Sequence, residues 1–325
     1  MKRLLLVFML AALLMPAASE AQYTKPIYVS LPGPGNVQHL AYAVAKEKKF
    51  YEEFGLTNVN TVVLRGNAMN VQALVSGSVH YSSAFGPSMH AMFKGEPIRV
   101  LLQIFNQIPF GLITRPDIKR LEDLKGQKIA VTLGGSTYSL LQALFAKYGY
   151  NEKFAEYLNI PDNEGKAVAL MQGRAAAALF APPTDRPLLK AGYKRLIFIG
   201  DEFKNIPFSA LQAMNKQVQD EPDVTQRMVN AVMKAMYWIR ANREGSIDVI
   251  MKTGRLNERD IAASLYDLMR DGYVPSLSPE GLYKRAELEF ALLKEKPNFK
   301  PEQFVDDRFY KMALKLLAKE PGAKL

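Results

Sequence analysis

The sequence predicts an α/β protein built as two similar lobes joined by two short crossings, with further helices packed on the body. Three observations predict it. Apolar strand-like runs alternate with amphipathic stretches as far as Met214, the pattern of a mostly parallel sheet with helices on both faces. Ala73 to Phe110 recurs as Ala169 to Phe208, pairing Ala73/Ala169, Leu74/Leu170, Gly77/Gly173, Pro87/Pro183, Lys94/Lys190 and Arg99/Arg195 at an offset of 96. Ile108-Pro109-Phe110 then matches Ile206-Pro207-Phe208 at an offset of 98. A duplicated helix–strand–helix–strand unit makes two lobes, and two lobes make a cleft.

The first stretch is expected to lie outside the fold. Lys2-Arg3 precedes twelve uninterrupted apolar residues, Leu4 to Met15. That run is too short to span a bilayer. Pro16 breaks it, and Ser19-Glu20-Ala21 supplies small residues at a cleavage position, so 1–21 read as a secretory signal peptide. The mature chain of 304 residues is about two domains' worth. It has no cysteine, which excludes disulfides, thiolate chemistry and cysteine-held metals. Removing Lys2, Arg3 and Glu20 takes the net charge from +10 to +9. The charges are scattered, and Lys46 with Lys48-Lys49 is one turn of a helix face. A solvated surface is the reading, with no nucleic-acid partner.

Ile27 to Leu31 reads as the first strand, and Val37 to Phe54 as one amphipathic helix stopped by Gly55. Asn60 to Leu64 is the second strand, and Asn67 is placed to cap a helix ending at Gly77. Val79 to Phe85 is the third strand, Pro87 opens the next helix, and Ile98 to Phe105 is the fourth strand. Phe110 to Thr114 is a short strand and Leu121 to Lys125 a small helix. Lys128 to Thr132 is a buried-type strand, followed by a helix to Tyr148 that Gly149 ends. A loop leads into the second copy of the repeat, then Ile206 to Met214 forms the matching strand. From Pro222 the texture is helical: Val224–Asn242, Ser246–Thr253, Glu258–Arg270, Pro279–Leu293 and Asp307–Leu317, with Asn257, Ser278 and Asp306 as caps. The lobes are expected at 22–108 with 209–325, and at 112–205, hinged at the two Ile-Pro-Phe segments.

Ligands of open α/β sheets bind beyond the carboxyl ends of strands. Four loops qualify, and they nominate Asn36, Gln38, His39, Arg65, Asn67, Ser83, Phe85 and Gly86 in one lobe. In the other lobe they nominate Gly135, Ser136, Thr137 and Tyr138. There two glycines leave the backbone open and a helix N-terminus presents free N–H groups. The alternative at Ser136 is a plain helix cap. Arg65 suits a ligand carboxylate or sulfonate, or a lobe–lobe contact. His39 is equally placed for the cleft and for helix packing. Phe180, Pro182 and Phe208 sit at strand ends and the hinge, where rings stack ligands or fill cores.

Gly33-x-Gly35 follows a strand, but Gln38 stands where a dinucleotide fingerprint has its third glycine, and Pro34 interrupts the turn. The three histidines show no metal spacing. No Ser/His/Asp set, phosphate-binding lysine loop or paired carboxylates stand out, so binding without catalysis, cofactor or metal is expected.

In order along the chain stand the export start, the Leu-x-x-Gly strand repeat, Lys119 to Gly126 (KRLEDLKG), and Ala231 to Ile239 (AVMKAMYWI) with Asn242. Together they resemble the nitrate/sulfonate/taurine-type solute-binding proteins of ABC transporters over nearly all of the mature chain. The resemblance implies a type II periplasmic-binding-protein fold and a monomer in the periplasm. It also implies a small polar or anionic solute held between the lobes, and delivery to an inner-membrane permease and its ATPase. Relatives include pyrimidine-precursor-binding proteins and a pyrimidine-precursor synthase that uses a cysteine-rich segment. Family members often carry Gly-x-x-Asp-Ala in the second Leu-x-x-Gly strand. Here Gly173-Arg174-Ala175-Ala176-Ala177 lacks the Asp, which leaves the ligand class open.

Overall fold

The computed structural model describes residues 21–33, 37–64, 67–133, 136–290 and 300–324. Among the described residues, ten strands form two sheets of five. The first sheet contains β1 (Ile27–Leu31), β2 (Val59–Val63), β3 (Tyr81–Ser82), β4 (Ile98–Gln107) and β10 (Lys204–Met214), in the order β2-β1-β3-β10-β4. The second contains β5 (Gly111–Thr114), β6 (Lys128–Val131), β7 (Glu156–Asn159), β8 (Ala177–Phe180) and β9 (Lys194–Phe198), in the order β7-β6-β8-β5-β9.

The two orders are the same order. β1 pairs parallel with β2 and β3, as β6 does with β7 and β8. β10 enters antiparallel between β3 and β4, as β5 enters antiparallel between β8 and β9. Each sheet therefore takes its one reversed strand from chain that has just left the other sheet. The sequence repeat is a repeat of topology.

The strands follow their composition. β1 alternates, with Ile27 and Val29 buried and Tyr28 exposed. β5 (GLIT) and β8 (AALF) are buried at every position, as strands covered on both faces are. The helices α1 (Leu40–Glu47), α2 (Phe50–Glu53), α3 (Asn67–Val75) and α4 (Phe85–Phe93) belong to the first lobe. The second lobe has α5 (Ser136–Lys147), α6 (Asn163–Met171), α7 (Arg186–Lys190) and α8 (Ile199–Glu202). Then come α9 (Asn215–Asp220), α10 (Pro222–Ala241), α11 (Arg243–Gly254), α12 (Arg259–Met269), α13 (Pro279–Glu289) and α14 (Asp307–Leu316). The Met-bearing stripe of α10 is core: Met228, Val232, Ala235 and Ile239 are fully buried against the first sheet's cluster.

Several expectations need correction. The stretch 37–54 is not one helix. It is a 3-10 turn at Val37–His39, then α1 and α2, broken at Lys49, whose φ of 59° is left-handed. The third strand is two residues long, because α4 starts at Phe85 and Pro87 falls inside its first turn. The loop that the sequence predicts before the second repeat contains β7; its outer residues Glu156 and Asn159 are exposed, and an edge strand of this kind carries little apolar signal. Ser278 and Asp306 do cap their helices, through Gly281 N–H and Arg308 N–H, whereas Asn257 precedes the N-cap residue Glu258 and caps nothing. The second Ile-Pro-Phe is not a free crossing. It lies inside β10, in the irregular stretch between the pairs Lys204/Gln107 and Ser209/Phe105.

Candidate interlobe binding site

The carboxyl ends of β3 and β6 run into α4 and α5, and α13 packs against both helices and against β10. Ser278 starts α13 by accepting from Gly281 N–H at 3.3 Å. One face of this helix presents Leu282, Arg285, Ala286 and Glu289, the spacing of a single buried stripe. Two of those four are charged, and both are buried: Arg285 is 1% and Glu289 2% exposed.

Glu289 gathers the elements. Arg285 Nη2 donates to its Oε1. Its Oε2 lies 3.3 Å from Nε2 of His90, on α4, and accepts from Ser136 Oγ, at the start of α5, at 3.3 Å. One carboxylate thus touches groups from both sides of the boundary. Burial pushes the Glu289 carboxyl up, but the Arg285 charge, then His90 and the Ser136 hydroxyl, outweigh it and hold the group below its ordinary range. It is an anion at neutral pH. The Arg285 guanidinium lies over the Phe208 ring, 5.3 Å from its centroid. Gly86 backs the pair: a Cβ there would overlap both Arg285 Nη2 and Glu289 Oε1.

A second group of buried polar side chains follows β1. Gln38 and His39 are 3% and 4% exposed. Ser209 Oγ donates to the Gln38 carbonyl at 3.2 Å, and Tyr273 OH donates to the Val37 carbonyl while accepting from Leu40 N–H. Gln38 Oε1 and both His39 ring nitrogens have no hydrogen-bond partner among the described residues. Burial alone pushes His39 down to about 3, so the imidazole is neutral.

The candidates divide accordingly. Gly86, Ser136 and Phe208 meet around Arg285 and Glu289. Ser83 is buried and bonds back to the Ser30 carbonyl through both N–H and Oγ. Phe85 and Phe180 are each 1% exposed inside hydrophobic clusters, so they are core side chains here and not ring platforms. Pro182 is buried and Thr137 half-buried; Tyr138 meets Tyr157 edge to face at 5.0 Å. Asn67 is the first residue of α3. Asn36, Arg65 and Gly135 lie outside the described residues. Ser136 is a helix residue whose hydroxyl donates to Glu289, so it is not a plain N-cap.

Sequence reasoning missed Arg285 and Glu289. A charged pair four apart on a helix reads as a surface ion pair. The signal was their position on the same stripe as Leu282 and Ala286, where a charge is out of place unless it is used.

No group of three or more His, Asp or Glu able to hold a metal occurs among the described residues. A surface concavity of about 430 Å3 near Tyr23, Lys25, His80 and Glu221 lies at the amino end of β1. That is the wrong end of the sheet for a strand-end ligand site.

The family model described as NMT1/THI5 like matches residues 36–246. A Brucella abortus (strain 2308) protein provisionally named a binding protein is 27% identical over 253 residues, 71% of this chain and 76% of that protein. A solved structure from Bordetella bronchiseptica RB50 is similar with a TM-score of 0.77 at 21% identity, covering 90% of this chain and 98% of that one. The periplasmic aliphatic sulphonate binding protein SsuA of Escherichia coli is similar with a TM-score of 0.70 at 18% identity, covering 93% of this chain and 90% of that one. The fold is the type II periplasmic-binding-protein fold, two α/β sheets of one topology exchanging their reversed strands. With a family match spanning well over half its length, this chain belongs to the NMT1/THI5-like family.

Proposed function

We propose that the chain is the solute-binding component of an ABC importer. It is exported to the periplasm, captures a small polar or anionic organic solute between its lobes, and hands it to a membrane permease driven by an ATPase. The lobes are 22–108 with 209–325, and 112–205. The observation that carries this reading is Glu289, where the helices following β3 and β6 meet on one buried carboxylate. Strand-end helices from two sheets converging on shared polar groups make a site that opens and closes with the lobes. The names of SsuA and of the Brucella protein, both binding proteins, support the same reading.

The rival reading is an enzyme of the pyrimidine-precursor synthase kind. That chemistry uses a cysteine-rich segment, and this chain has no cysteine. The Ser136, His90 and Glu289 cluster is arranged unlike a nucleophilic triad as well. Serine and imidazole both contact the carboxylate, so no imidazole stands between hydroxyl and acid to take the serine proton.

A thermal-shift screen of the mature protein against a small-solute library tests the reading, because a solute that binds only the folded state raises its melting temperature. The bound solute is expected back chemically unchanged after denaturation. Steady turnover by the purified protein overturns the proposal.

A further inference from the structure

Helix α13 carries a charge that its own surroundings do not use up. Arg285 is almost wholly buried, yet only its Nη2 has a partner, Oε1 of Glu289. Its Nε and Nη1 are buried without a hydrogen-bond partner among the described residues. A guanidinium has five N–H donors and stays charged throughout the physiological range. Taking such an ion out of water with donors unpaired is costly, and one paired carboxylate oxygen does not satisfy it. Glu289 has no second oxygen to offer, because Oε2 is committed to His90 and Ser136.

The surroundings hold the guanidinium in place. Phe208, on the irregular part of β10, lies against its face. Gly86, just past β3, leaves the volume that a side chain would fill. All of these parts lie where the two sheets meet.

We infer that Arg285 binds the anionic group of the solute, a carboxylate or sulfonate, through one of its two open donors, Nε or Nη1, which face opposite sides of the guanidinium. Glu289 is the positioning residue that orients the guanidinium and ties it through Ser136 to the second lobe. The inference rests on the chain being a solute-binding protein. An open, charged donor suits an oxyanion, which accepts a charge-assisted hydrogen bond from it. A cation meets like charge there. An uncharged amide offers the same donors a weaker acceptor.

The test compares acids with their uncharged counterparts. The mature protein is titrated calorimetrically with benzoate against benzamide, benzenesulfonate against benzenesulfonamide, and short alkanoates and alkanesulfonates against their amides. The acid of a bound pair is expected to bind roughly ten- to a hundredfold more tightly. Arg285→Gln alone leaves Glu289 an uncompensated buried charge and risks misfolding. The double variant Arg285→Gln, Glu289→Gln removes both charges together and is expected to melt cooperatively while losing the preference for acid over amide. Glu289→Gln alone keeps a carbonyl for Nη2 but leaves the guanidinium without its counter-charge, so the preference for acid is expected to be kept or enlarged, and its loss overturns the role of Arg285. An acid preference that survives the double variant, or amides that bind wild type as well as acids, overturns the role of Arg285 and leaves the binding-protein reading standing. Failure of every acid and amide to bind folded wild-type protein overturns both.

Discussion

The rings of Phe110 and Phe208 meet edge to face, their centroids 5.5 Å apart and their planes at 74°. They are the last residues of the two Ile-Pro-Phe segments, so a sequence repeat closes on itself in space. Phe110 ends the connection from β4 to β5, and Phe208 lies in the irregular stretch of β10. Phe208 packs against the apolar clusters of both sheets. We propose this pair as the hinge of the two lobes.

An edge-to-face pair contributes about 0.5–1.5 kcal/mol beyond the area it buries. Phe110→Ala, Phe208→Ala and the double variant should therefore show a coupling of about that size in denaturant unfolding. Solution scattering on wild type should show a smaller radius of gyration with solute than without. In Phe208→Ala the difference should shrink, because the ring also backs Arg285. A coupling near zero together with an unchanged scattering difference rules the pair out as a hinge element.

Gly86→Ala should damage the site more than its small volume implies. The added methyl overlaps the buried Arg285–Glu289 pair, and neither partner can move out without losing the other. Overpacking of this kind costs about 1–3 kcal/mol. Solute affinity should fall with it, since the guanidinium is displaced. Gly77→Ala is the comparison: Gly77 has φ +74° with open space around it, so its cost is backbone strain of roughly 1–2 kcal/mol and solute binding should survive. Equal affinity loss in the two variants would separate Gly86 from the site.

Much of this arrangement was legible in the sequence. The Leu-x-x-Gly and Ile-Pro-Phe repeats report a topology that occurs twice, because equivalent strands face equivalent packing demands. Ser136, Gly86 and Phe208 stand at strand ends and a crossing in the sequence, and the fold brings them together around Arg285 and Glu289. Arg285 and Glu289 were not legible, because a helix outside the repeat supplies them, and spacing alone cannot tell a buried pair from a solvated one. Lys49 hid the break between α1 and α2, since a left-handed lysine has no composition signal. Phe85 and Phe180 were drawn into the site by their place at strand ends, and packing took them for the core.

Export is checked at the N-terminus of the purified protein. The basic start, apolar run and Ser19-Glu20-Ala21 predict cleavage after Ala21. Mass spectrometry of periplasmic material should find Gln22 first. Full-length chain retained in the cytoplasm defeats the export reading.

The last prediction concerns acid. His39 is buried, and burial moves it from 6.5 to about 3. The unfolded chain therefore takes up the His39 proton before the folded protein does. The stability this group contributes is complete above pH 6.5 and is lost as pH falls toward 3, at about 1.4 kcal/mol per pH unit. By pH 4.5 the loss is about 3 kcal/mol. Glu289 acts in a lower window. Its carboxyl is held below the ordinary 4.5, so its contribution is present above that pH and is lost only as pH drops further. Two limbs should thus appear when denaturant stability is followed from neutral pH downward. His39→Gln should flatten the upper limb and leave the lower one. Partial burial depresses His80 as well, with Glu221 opposing it, so His80→Gln is the control for the upper limb. Glu289→Gln, made together with Arg285→Gln, should make the lower limb shallower without flattening it, because other paired carboxylates such as Asp306 and Glu202 are also held low and titrate there. If stability in His39→Gln falls between pH 6.5 and 4.5 as steeply as in wild type, the buried neutral imidazole is not what makes this fold acid-sensitive.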